Sequence, residues 1–330
     1  MFSQKRILLT GGTGSFGRAF TKMTTDLHSE TEIIIFSRDE MKQWEMQANY
    51  SQKSNVKFVI GDVRDKDKLQ RVMRGVDYVV HAAATKIVPT AEENPDECVK
   101  TNVLGAINII EAAKTAGVEK VVALSTDKAC NPINLYGASK LASDKIFVAA
   151  NNELGTGREP NFSVVRYGNV MGSRGSVIPF FLSLPKEQPL PITDFRMTRF
   201  MIPLEDGVSL VWQAFEEMFG GEIFVKKIPS MRIKEIAEAI RPGEDFVEIG
   251  IRSGEKLHEQ MVSVEDATLT YDYGSHFKIL PFGATSRDFT FIANGQKVPE
   301  GFSYSSNNND VWMSVDDLRA WIKGNLDNLV

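Results

Sequence analysis

The chain has 330 residues, of which 42 % are hydrophobic and 25 % are charged, as is typical of a globular protein with a sizeable core. This length suits one large domain and a smaller one. With 43 acidic and 38 basic residues, the formal net charge is −5. That balance argues against nucleic acid or an anionic membrane as the main partner, so a few placed cations and backbone amides must hold any anionic ligand.

The two cysteines, Cys98 and Cys130, form no CxxC pair, so neither a zinc knuckle nor a disulfide framework is predicted. The four histidines have no ligand spacing, and we expect no metal. The apolar stretch at residues 7–9 is too short for a signal-peptide core, and no apolar run approaches the ~20 residues of a membrane helix. We therefore expect a soluble, cytoplasmic protein that has no membrane partner.

Up to about residue 168, short apolar segments rich in β-branched residues alternate with amphipathic segments of helical length. We predict strands over residues 6–10, 32–37, 56–61, 77–81, 120–125 and 162–166. Between them we predict helices over residues 16–27, 42–50, 66–73, 97–115 and 136–151. Strands that are apolar on both faces indicate a parallel sheet covered by helices, so the fold class is α/β with a doubly wound parallel sheet.

The second half of the chain has a different pattern. Prolines at 179, 185, 189, 191 and 203 interrupt the alternation, and a strand over 222–225 and a helix over 231–240 follow. A last short helix is predicted over 315–322. We divide the chain into a first domain over 1–168 and a smaller lobe over 169–330, of which some segments return to the first domain.

A glycine-rich turn joins the first predicted strand to the first predicted helix, and it reads GGTGSFG over residues 11–17. In this context such a turn favours dinucleotide binding, because backbone amides can approach a pyrophosphate at the helix N-terminus. The alternative is a tight turn without a ligand. The predicted cofactor contacts here are Gly11, Thr13, Gly14, Ser15, Phe16 and Gly17.

The second strand ends at Ser37 and Arg38, where an NAD-binding chain usually carries a carboxylate. A guanidinium suits a 2′-phosphate, and Lys42 adds a second cation, so these residues favour NADP. The alternative is that Arg38 pairs with Asp39 or Glu40 at the surface. The remaining predicted cofactor contacts are Asp39, Asp62, Val63, Ala82, Ala83, Val170 and the helix residues Tyr136 and Lys140.

Tyr136 and Lys140 lie one helical turn apart, after the strand that precedes Thr126. An anionic phenol can accept a hydroxyl proton, and the Lys140 ammonium can supply the roughly 4 kcal/mol needed to bring the pKa of Tyr136 near neutrality. Next to Thr126 stand Asp127 and Lys128. If desolvated and neutral, Lys128 can remove a proton, and a sheltered Asp127 can protonate a leaving hydroxyl. A mutual salt bridge is an equal alternative.

Taken together, these motifs resemble the inverting UDP-N-acetylglucosamine 4,6-dehydratases, a family of extended short-chain dehydrogenase/reductases that begins pseudaminic acid biosynthesis. The matching stretches cover nearly the whole chain. They are TGGTGSFG (10–17), SRDEMKQ (37–43), GDVRD (61–65), HAAATKIVP (81–89), STDKACNPINLYGASK (125–140), VVRYGNVMGSRGSVIPFF (164–181), ITDFRMTRF (192–200), GGEIFVKKIPSM (220–231), IRSGEKLHE (251–259) and YSSNNN (304–309). The resemblance implies a Rossmann domain, NADP and a UDP-sugar-binding lobe.

The resemblance also implies a lyase reaction. Tyr136 accepts the C4 hydroxyl proton as hydride passes to NADP, Lys128 removes the C5 proton, and Asp127 protonates the departing 6-hydroxyl. Hydride returns to C6 and C5 is reprotonated on the opposite face, which gives UDP-2-acetamido-2,6-dideoxy-β-L-arabino-hexos-4-ulose. Tyr136 and the lack of a membrane segment favour this family over the retaining dehydratases, which usually have methionine there. A UDP-sugar C4 epimerase or a retaining dehydratase is the alternative, and a non-enzymatic NADP sensor a remote one.

Further expectations follow from the resemblance. The substrate contacts that it implies are Lys86, Asn169, Arg174, Arg199, Arg252 and Glu255, each with ordinary loop pairing as the alternative. The tail over 304–309 closes on the nucleotide or caps a helix. Thr85 and Ile87 depart from the commoner family pattern, and Cys130 is interpreted as packing. Relatives assemble as dimers or hexamers, so a homo-oligomer is expected.

Overall fold

The computed structural model describes residues 2–152, 159–283, 292 and 294–326. The strands are β1 (Arg6–Thr10), β2 (Glu32–Ser37), β3 (Val56–Ile60), β4 (Tyr78–His81), β5 (Lys120–Thr126), β6 (Asn161–Tyr167), β7 (Asn169–Val170), β8 (Leu190–Ile192), β9 (Thr198–Ile202), β10 (Ile223–Lys226), β11 (Ser230–Arg232), β12 (Phe246–Glu248), β13 (Gln260–Val262), β14 (Thr270–Asp272), β15 (His276–Ile279), β16 (Gln296–Lys297) and β17 (Tyr304–Ser305).

The helices are α1 (Ser15–Leu27), α2 (Glu40–Ala48), α3 (Lys66–Val72), α4 (Val88–Glu93), α5 (Pro95–Val99), α6 (Gly105–Ala116), α7 (Leu135–Ala149), α8 (Val177–Ser183), α9 (Leu204–Glu217), α10 (Ile233–Ile240) and α11 (Val315–Asn325). A π-helical turn over Lys100–Leu104 joins α5 to α6. A 3₁₀ turn over Asp127–Ala129 follows β5.

One large sheet organises the molecule, with the order β16-β14-β15-β10-β6-β5-β4-β1-β2-β3. From β3 to β10 neighbouring strands pair in parallel, whereas β15, β14 and β16 are antiparallel. The strand order reverses between β1 and β4, and ligands of such sheets bind at the carboxyl ends of the strands near that point. The doubly wound α/β fold expected from the sequence is confirmed.

The six strands predicted up to residue 168 are present, with bounds that differ by at most one residue. The long helix predicted over 97–115 is instead α5, the π-helical turn and α6. Periodicity alone did not show this change, because a π turn adds one residue to the spacing without removing the apolar face.

The structure confirms one expectation for the second half and corrects others. The strand predicted over 222–225 is β10, which pairs with β6 in the large sheet. The predicted helix over 231–240 begins at Ile233, since Ser230–Arg232 pairs with β9 as β11. The 14-residue helix α9 was missed, although Pro203 directly precedes it. Proline there costs no helical hydrogen bond, so it marks a beginning and not a break. The division at residue 168 stays a prediction.

A second apolar core lies apart from the one around the large sheet. It is built by α8, β8, α10 and α11, and its buried members are Met171, Ile178, Phe181, Leu190, Ile192, Met197, Met201, Met231, Ile233, Ile236, Ala237, Ala239, Leu318 and Ile322. The segments between these elements run back to the large sheet and bring second-half residues onto the carboxyl end of β5. In the described ranges no helix has the length and apolarity to cross a membrane.

Candidate active site

The glycine turn between β1 and α1 leaves no room for a side chain at Gly11 or Gly17. A Cβ on Gly11, whose φ is +67°, would lie 2.8 Å from the backbone N of Ala83, and a Cβ on Gly17 would lie 2.3 Å from the carbonyl oxygen of Gly12. Gly14 precedes α1 and no side chain caps this helix. The first amides of α1 therefore remain available to an anion, as the pyrophosphate of a dinucleotide requires.

Ser37, at the end of β2, is held by the buried Gln43. The Gln43 Nε2 lies 3.0 Å from both the Oγ and the carbonyl oxygen of Ser37 and 2.9 Å from the carbonyl oxygen of Val59. An Oγ that accepts a hydrogen bond keeps its own hydrogen free to donate. Ser37 is thus a suitable donor to a phosphate beside β2.

The acidic residue after β2, Asp39, has its side-chain contacts within the first turn of α2. Asp39 accepts a hydrogen bond from the backbone N of Lys42 at 3.0 Å and pairs with the Lys42 Nζ at 2.6 Å. These contacts hold the pKa of Asp39 below its usual value. Arg38 does not pair with Asp39 or Glu40, as one alternative proposed, but its Nη1 lies 3.7 Å from the Oδ2 of Asp62. Two cations therefore stand beside Ser37.

The chemistry predicted for Asp127 and Lys128 centres on the turn after β5. Asp127 is fully buried, and its Oδ1 accepts hydrogen bonds from the Thr126 Oγ1 and the Lys128 Nζ, both at 3.0 Å. The Oδ2 of Asp127 has no hydrogen-bond partner among the described residues. The Lys128 Nζ also lies 3.2 Å from the Oε1 of Glu259, which is buried. One ammonium group thus lies between two buried carboxylates.

The condition under which Lys128 was expected to be neutral, namely desolvation that dominates its surroundings, is not met in this arrangement. Burial acts to lower the pKa of Lys128, but the charges of Asp127 and Glu259 outweigh it and raise the pKa. The pKa of Asp127 is raised by burial and by Glu259, against the opposing effect of Lys128. The salt-bridge alternative is therefore present, yet a proton passed from Lys128 to Asp127 would create an amine and a carboxylic acid without changing the net charge.

Helix α7 brings Tyr136 against this turn. Asn134 caps the helix by accepting a hydrogen bond from the backbone N of Gly137 at 2.7 Å. A Cβ on Gly137 would lie 2.3 Å from the carbonyl oxygen of Lys128, so only glycine permits this close approach. The Tyr136 phenol lies near enough to Thr126 and Lys128 of this turn for both to lower its pKa. The turn and the start of α7 therefore form one packed unit.

The predicted influence of Lys140 on Tyr136 also needs correction. Burial raises the pKa of Tyr136 to about 12, and the Lys128 charge is the strongest influence that lowers it. Lys140 is buried one turn further along α7, where burial lowers its pKa and Asp144 opposes that effect. Lys128 therefore acts on the phenol more strongly than Lys140 in this structure, because it lies at the turn that the phenol contacts.

The residues expected to contact substrate have different surroundings. Lys86 donates to the carbonyl oxygen of Arg174 at 3.4 Å, and the Arg174 backbone N lies 3.5 Å from the Ser15 Oγ, near the glycine turn. The Arg252 Nε lies 3.5 Å from the Glu255 Oε1, which is the loop ion pairing given above as the alternative to a substrate contact.

Two of these expected contacts have buried polar atoms without partners in the described ranges, namely the Asn169 Oδ1 and the Glu255 Oε2. Buried polar atoms are normally satisfied, so a polar ligand would suit both. Arg199 is buried and donates to the carbonyl oxygens of Thr198, Lys256 and Leu257, so it supports a loop.

This loop places second-half residues on the turn after β5. Lys256 donates to the carbonyl oxygen of Cys130 at 2.6 Å, and Asn134 donates to that of Gly254 at 2.8 Å. Glu259 follows directly. The sequence motif IRSGEKLHE contains it, but the resemblance implies roles only for Arg252 and Glu255 in this motif, since nothing in one sequence marks an isolated glutamate.

The tail over 304–309 and Cys130 both pack into the fold. Residues Tyr304–Ser305 pair with β13 as β17, and Asn309 donates to the carbonyl oxygen of Ile228 at 2.8 Å. Burial raises the pKa of Cys130 to about 12, which agrees with packing and disfavours a nucleophile. Among the described residues no group of three or more His, Cys, Asp or Glu side chains is arranged to hold a metal ion.

Comparison with known proteins gives one consistent family. Residues 7–281 match the model of a family described as polysaccharide biosynthesis protein. A UDP-N-acetylglucosamine 4,6-dehydratase (inverting) of Campylobacter jejuni is 55 % identical over 326 residues, which are 96 % of this chain and 97 % of that protein. A UDP-glucose 4-epimerase of Rickettsia akari is 44 % identical over 305 residues, 90 % of this chain and 89 % of that one.

Solved structures agree with this result. Pen from Bacillus thuringiensis superposes with a TM-score of 0.88 at 33 % identity and covers all of both chains. The dTDP-glucose 4,6-dehydratase DesIV from Streptomyces venezuelae, solved with NAD and TYD bound, gives 0.69 at 25 % identity over 76 % of this chain and 86 % of that one. The chain therefore belongs to the polysaccharide biosynthesis protein family and, within it, to the group of the inverting UDP-N-acetylglucosamine 4,6-dehydratases that its motifs resemble.

Proposed function

We propose that this protein is an NADP-dependent UDP-N-acetylglucosamine 4,6-dehydratase that inverts C5. The observation that carries this proposal is the ion pair of the buried Asp127 with the partly buried Lys128, beside Tyr136 at the carboxyl end of β5. An oxidoreductase or an epimerase needs a tyrosine, whereas elimination across C5 and C6 also needs a base and an acid. The 55 % identical relative from Campylobacter jejuni has this activity in its name.

A nicotinamide dinucleotide fits the glycine turn, because no side chain caps the first amides of α1 and because glycine at 11 and 17 lets backbone segments approach closely. We propose NADP, although DesIV was solved with NAD, because Ser37, Arg38 and Lys42 surround the end of β2 while Asp39 caps α2. When bound there, the dinucleotide would supply a reversible hydride acceptor for oxidation at C4 and reduction at C6.

Tyr136 is proposed to accept the proton of the 4-hydroxyl group. A phenol whose pKa is about 12 is a poor base at neutral pH, so its surroundings must favour the anion during turnover. The Lys128 charge and the Thr126 side chain already act in that direction. Lys140, one turn along α7, is proposed to hold the cofactor and to add positive charge near the phenol.

Asp127 and Lys128 are proposed to carry out the elimination. A proton first moves across the 3.0 Å contact from the Lys128 Nζ to the Asp127 carboxylate. The neutral amine then takes the C5 proton, which is acidic next to the C4 ketone, while the carboxylic acid protonates the 6-hydroxyl, which leaves as water. Lys128 has gained one proton and Asp127 has lost one, so the ion pair is restored. C5 is then reprotonated on the opposite face by a proton from solvent, while the proton that Tyr136 took from the 4-hydroxyl group returns to solvent.

The remaining features of the proposal concern ligands and assembly. The nucleotide diphosphate would be held by Lys86, Arg174 and Arg252, and the sugar by Asn169 and Glu255. Arg199 would act through the loop that it supports. We also propose that the protein is a cytoplasmic homo-oligomer and that its product enters pseudaminic acid biosynthesis, as the resemblance implies.

The second candidate is a UDP-sugar C4 epimerase, which the 44 % identical Rickettsia akari relative favours. Incubation with UDP-N-acetylglucosamine and NADP in deuterated water, followed by NMR of the product, separates the two. We expect a 6-deoxy-4-keto sugar with the L-arabino configuration and deuterium at C5. Formation of UDP-N-acetylgalactosamine with its 6-hydroxyl intact would support the epimerase, and retained C5 configuration would indicate a retaining dehydratase.

A further inference from the structure

Glu259 is a buried carboxylate in the site to which no role has been assigned. It directly precedes β13, only 2 % of its surface is exposed, and its Oε1 lies 3.2 Å from the Lys128 Nζ. Its Oε2 has no hydrogen-bond partner among the described residues. A carboxylate is not buried without compensation, so its contact with Lys128 is a principal interaction of this side chain.

The backbone around Glu259 is fixed on both sides. The Ser306 backbone N donates to the Glu259 carbonyl oxygen at 2.8 Å, and the Glu259 backbone N donates to the Ser306 Oγ at 3.0 Å. The same Oγ lies 2.7 Å from the Thr198 Oγ1. Strand β9 and the tail around β17 thus hold Glu259 against the turn after β5, which is a structural role for this tail.

Glu259 faces the Asp127 carboxylate, with which it shares Lys128, and three positive charges. These positive charges are Lys128 of the 3₁₀ turn, Arg199 of β9, and Lys256 of its own segment, whose Nζ lies 3.9 Å from the Oε2. The neighbouring His258 is turned to Thr198, with 2.8 Å between its Nδ1 and the Thr198 Oγ1.

The two carboxylates that contact Lys128 therefore differ. Burial tends to raise the pKa of Glu259, but the three cations outweigh it and lower the pKa. Burial and the Glu259 charge raise the pKa of Asp127 against the effect of Lys128. These opposite directions favour Asp127 over Glu259 as the acceptor of a proton from Lys128.

We infer that Glu259 is a positioning residue for the elimination, which holds the Lys128 amine beside Asp127 and, through its fixed negative charge, makes Asp127 the partner that carries the exchanged proton. This inference rests on the proposed dehydratase function. Glu259 touches neither substrate nor cofactor in this role. It acts on Lys128 by direct contact and on Asp127 through its charge.

The test uses Glu259→Gln in the enzyme loaded with NADP. The amide oxygen can still accept a hydrogen bond from Lys128, but the negative charge is lost. The Asp127–Lys128 pair is active with one exchangeable proton, so kcat should depend on pH as a bell. Without a negative charge nearby both protonation steps become harder, and both limbs should move to lower pH by about one unit or more. KM should change less than about twofold.

Two further variants separate charge from shape. Glu259→Asp keeps the charge, so its limbs should stay within about 0.3 unit of the wild type even if kcat falls because the shorter side chain reaches less far. Glu265→Gln makes the same chemical change at an exposed glutamate of the following loop, and its pH profile should match the wild type. A loss of activity in Glu259→Gln without any shift of the limbs would overturn the inference.

A measurement that does not depend on turnover tests the role of Glu259 separately from the proposed dehydratase function. Trace acetylation with acetic anhydride, followed by mass spectrometry, gives the pH midpoint at which Lys128 becomes reactive. We expect a lower midpoint in Glu259→Gln. An unchanged midpoint in an enzyme that makes the 6-deoxy-4-keto product would refute the role of Glu259 alone. A wild type that makes no such product would instead refute the dehydratase function and the role with it.

Discussion

Replacing Lys128 by methionine removes the cation shared by Asp127 and Glu259 while keeping most of the side-chain volume. The Lys128 Nζ lies 3.0 Å from the Asp127 Oδ1 and 3.2 Å from the Glu259 Oε1, and these carboxylates are only 0 % and 2 % exposed. Breaking a buried ion pair by removing one partner typically costs about 3–5 kcal/mol. We expect the free energy of unfolding to fall by about that amount at pH 8.

The pH dependence of this cost has a definite sign. Lys128 has a raised pKa, so its contribution is fully present below its ordinary value of 10.5 and is lost only as pH rises through the raised value. In the variant, Asp127 keeps the burial that raises its pKa but loses the opposing charge of Lys128. As pH falls, Asp127 protonates and no longer needs a cation. The stability difference should therefore shrink from pH 8 to pH 5.

Thermal melting of both proteins at pH 8 and pH 5 measures this difference, and binding of NADP confirms that the variant is folded. In deuterated water with UDP-N-acetylglucosamine, the variant should neither dehydrate the sugar nor incorporate deuterium at C5. Lys100→Met is the matched control, because Lys100 forms an exposed ion pair and such pairs contribute at most about 1 kcal/mol. Normal C5 exchange in Lys128→Met would exclude Lys128 as the base. A difference in melting temperature between wild type and variant that is the same at pH 8 and pH 5 would contradict the argument from the buried carboxylates.

Three other changes test different parts of the site. Tyr136→Phe should reduce kcat by at least about 10²-fold while NADP binding persists, since the acceptor of the 4-hydroxyl proton is lost, and retained turnover in single-turnover assays would exclude that role. Arg38→Ala should weaken NADP binding by about tenfold or more and leave NAD binding nearly unchanged, as measured by calorimetry; an equal loss for both cofactors would argue against a 2′-phosphate contact. Gly17→Ala should destabilise the glycine turn, because its Cβ would lie 2.3 Å from the Gly12 carbonyl oxygen, whereas Gly324→Ala, with nothing within 4 Å, should melt like the wild type.

Local patterns in the sequence were sufficient for most of the first half of the fold. A buried parallel strand is a short apolar run, and the helix that follows has its own periodicity, so the six strands up to residue 168 and most of the helices between them could be predicted from their own residues, whereas the short helix α4 and the π-helical turn were not predicted. The glycine turn and the pair of Tyr136 and Lys140 are local in the same sense, because their spacing alone puts them on one turn or one helix face. Elements such as α9 and β7–β9 were not predicted, since short strands and a helix that begins after a proline have no comparable local signature.

What the sequence by itself determined is which groups stand next to each other along the chain: the glycine turn, Ser37 with Arg38, and Asp127 with Lys128. Only the tertiary structure decided the protonation of the last pair. Glu259 belongs to the second half of the chain, on a segment held by β9 and the tail. Its charge raises the pKa of both Asp127 and Lys128. Coulomb interactions act through space and strengthen as water is excluded, so a residue remote in the chain can set them.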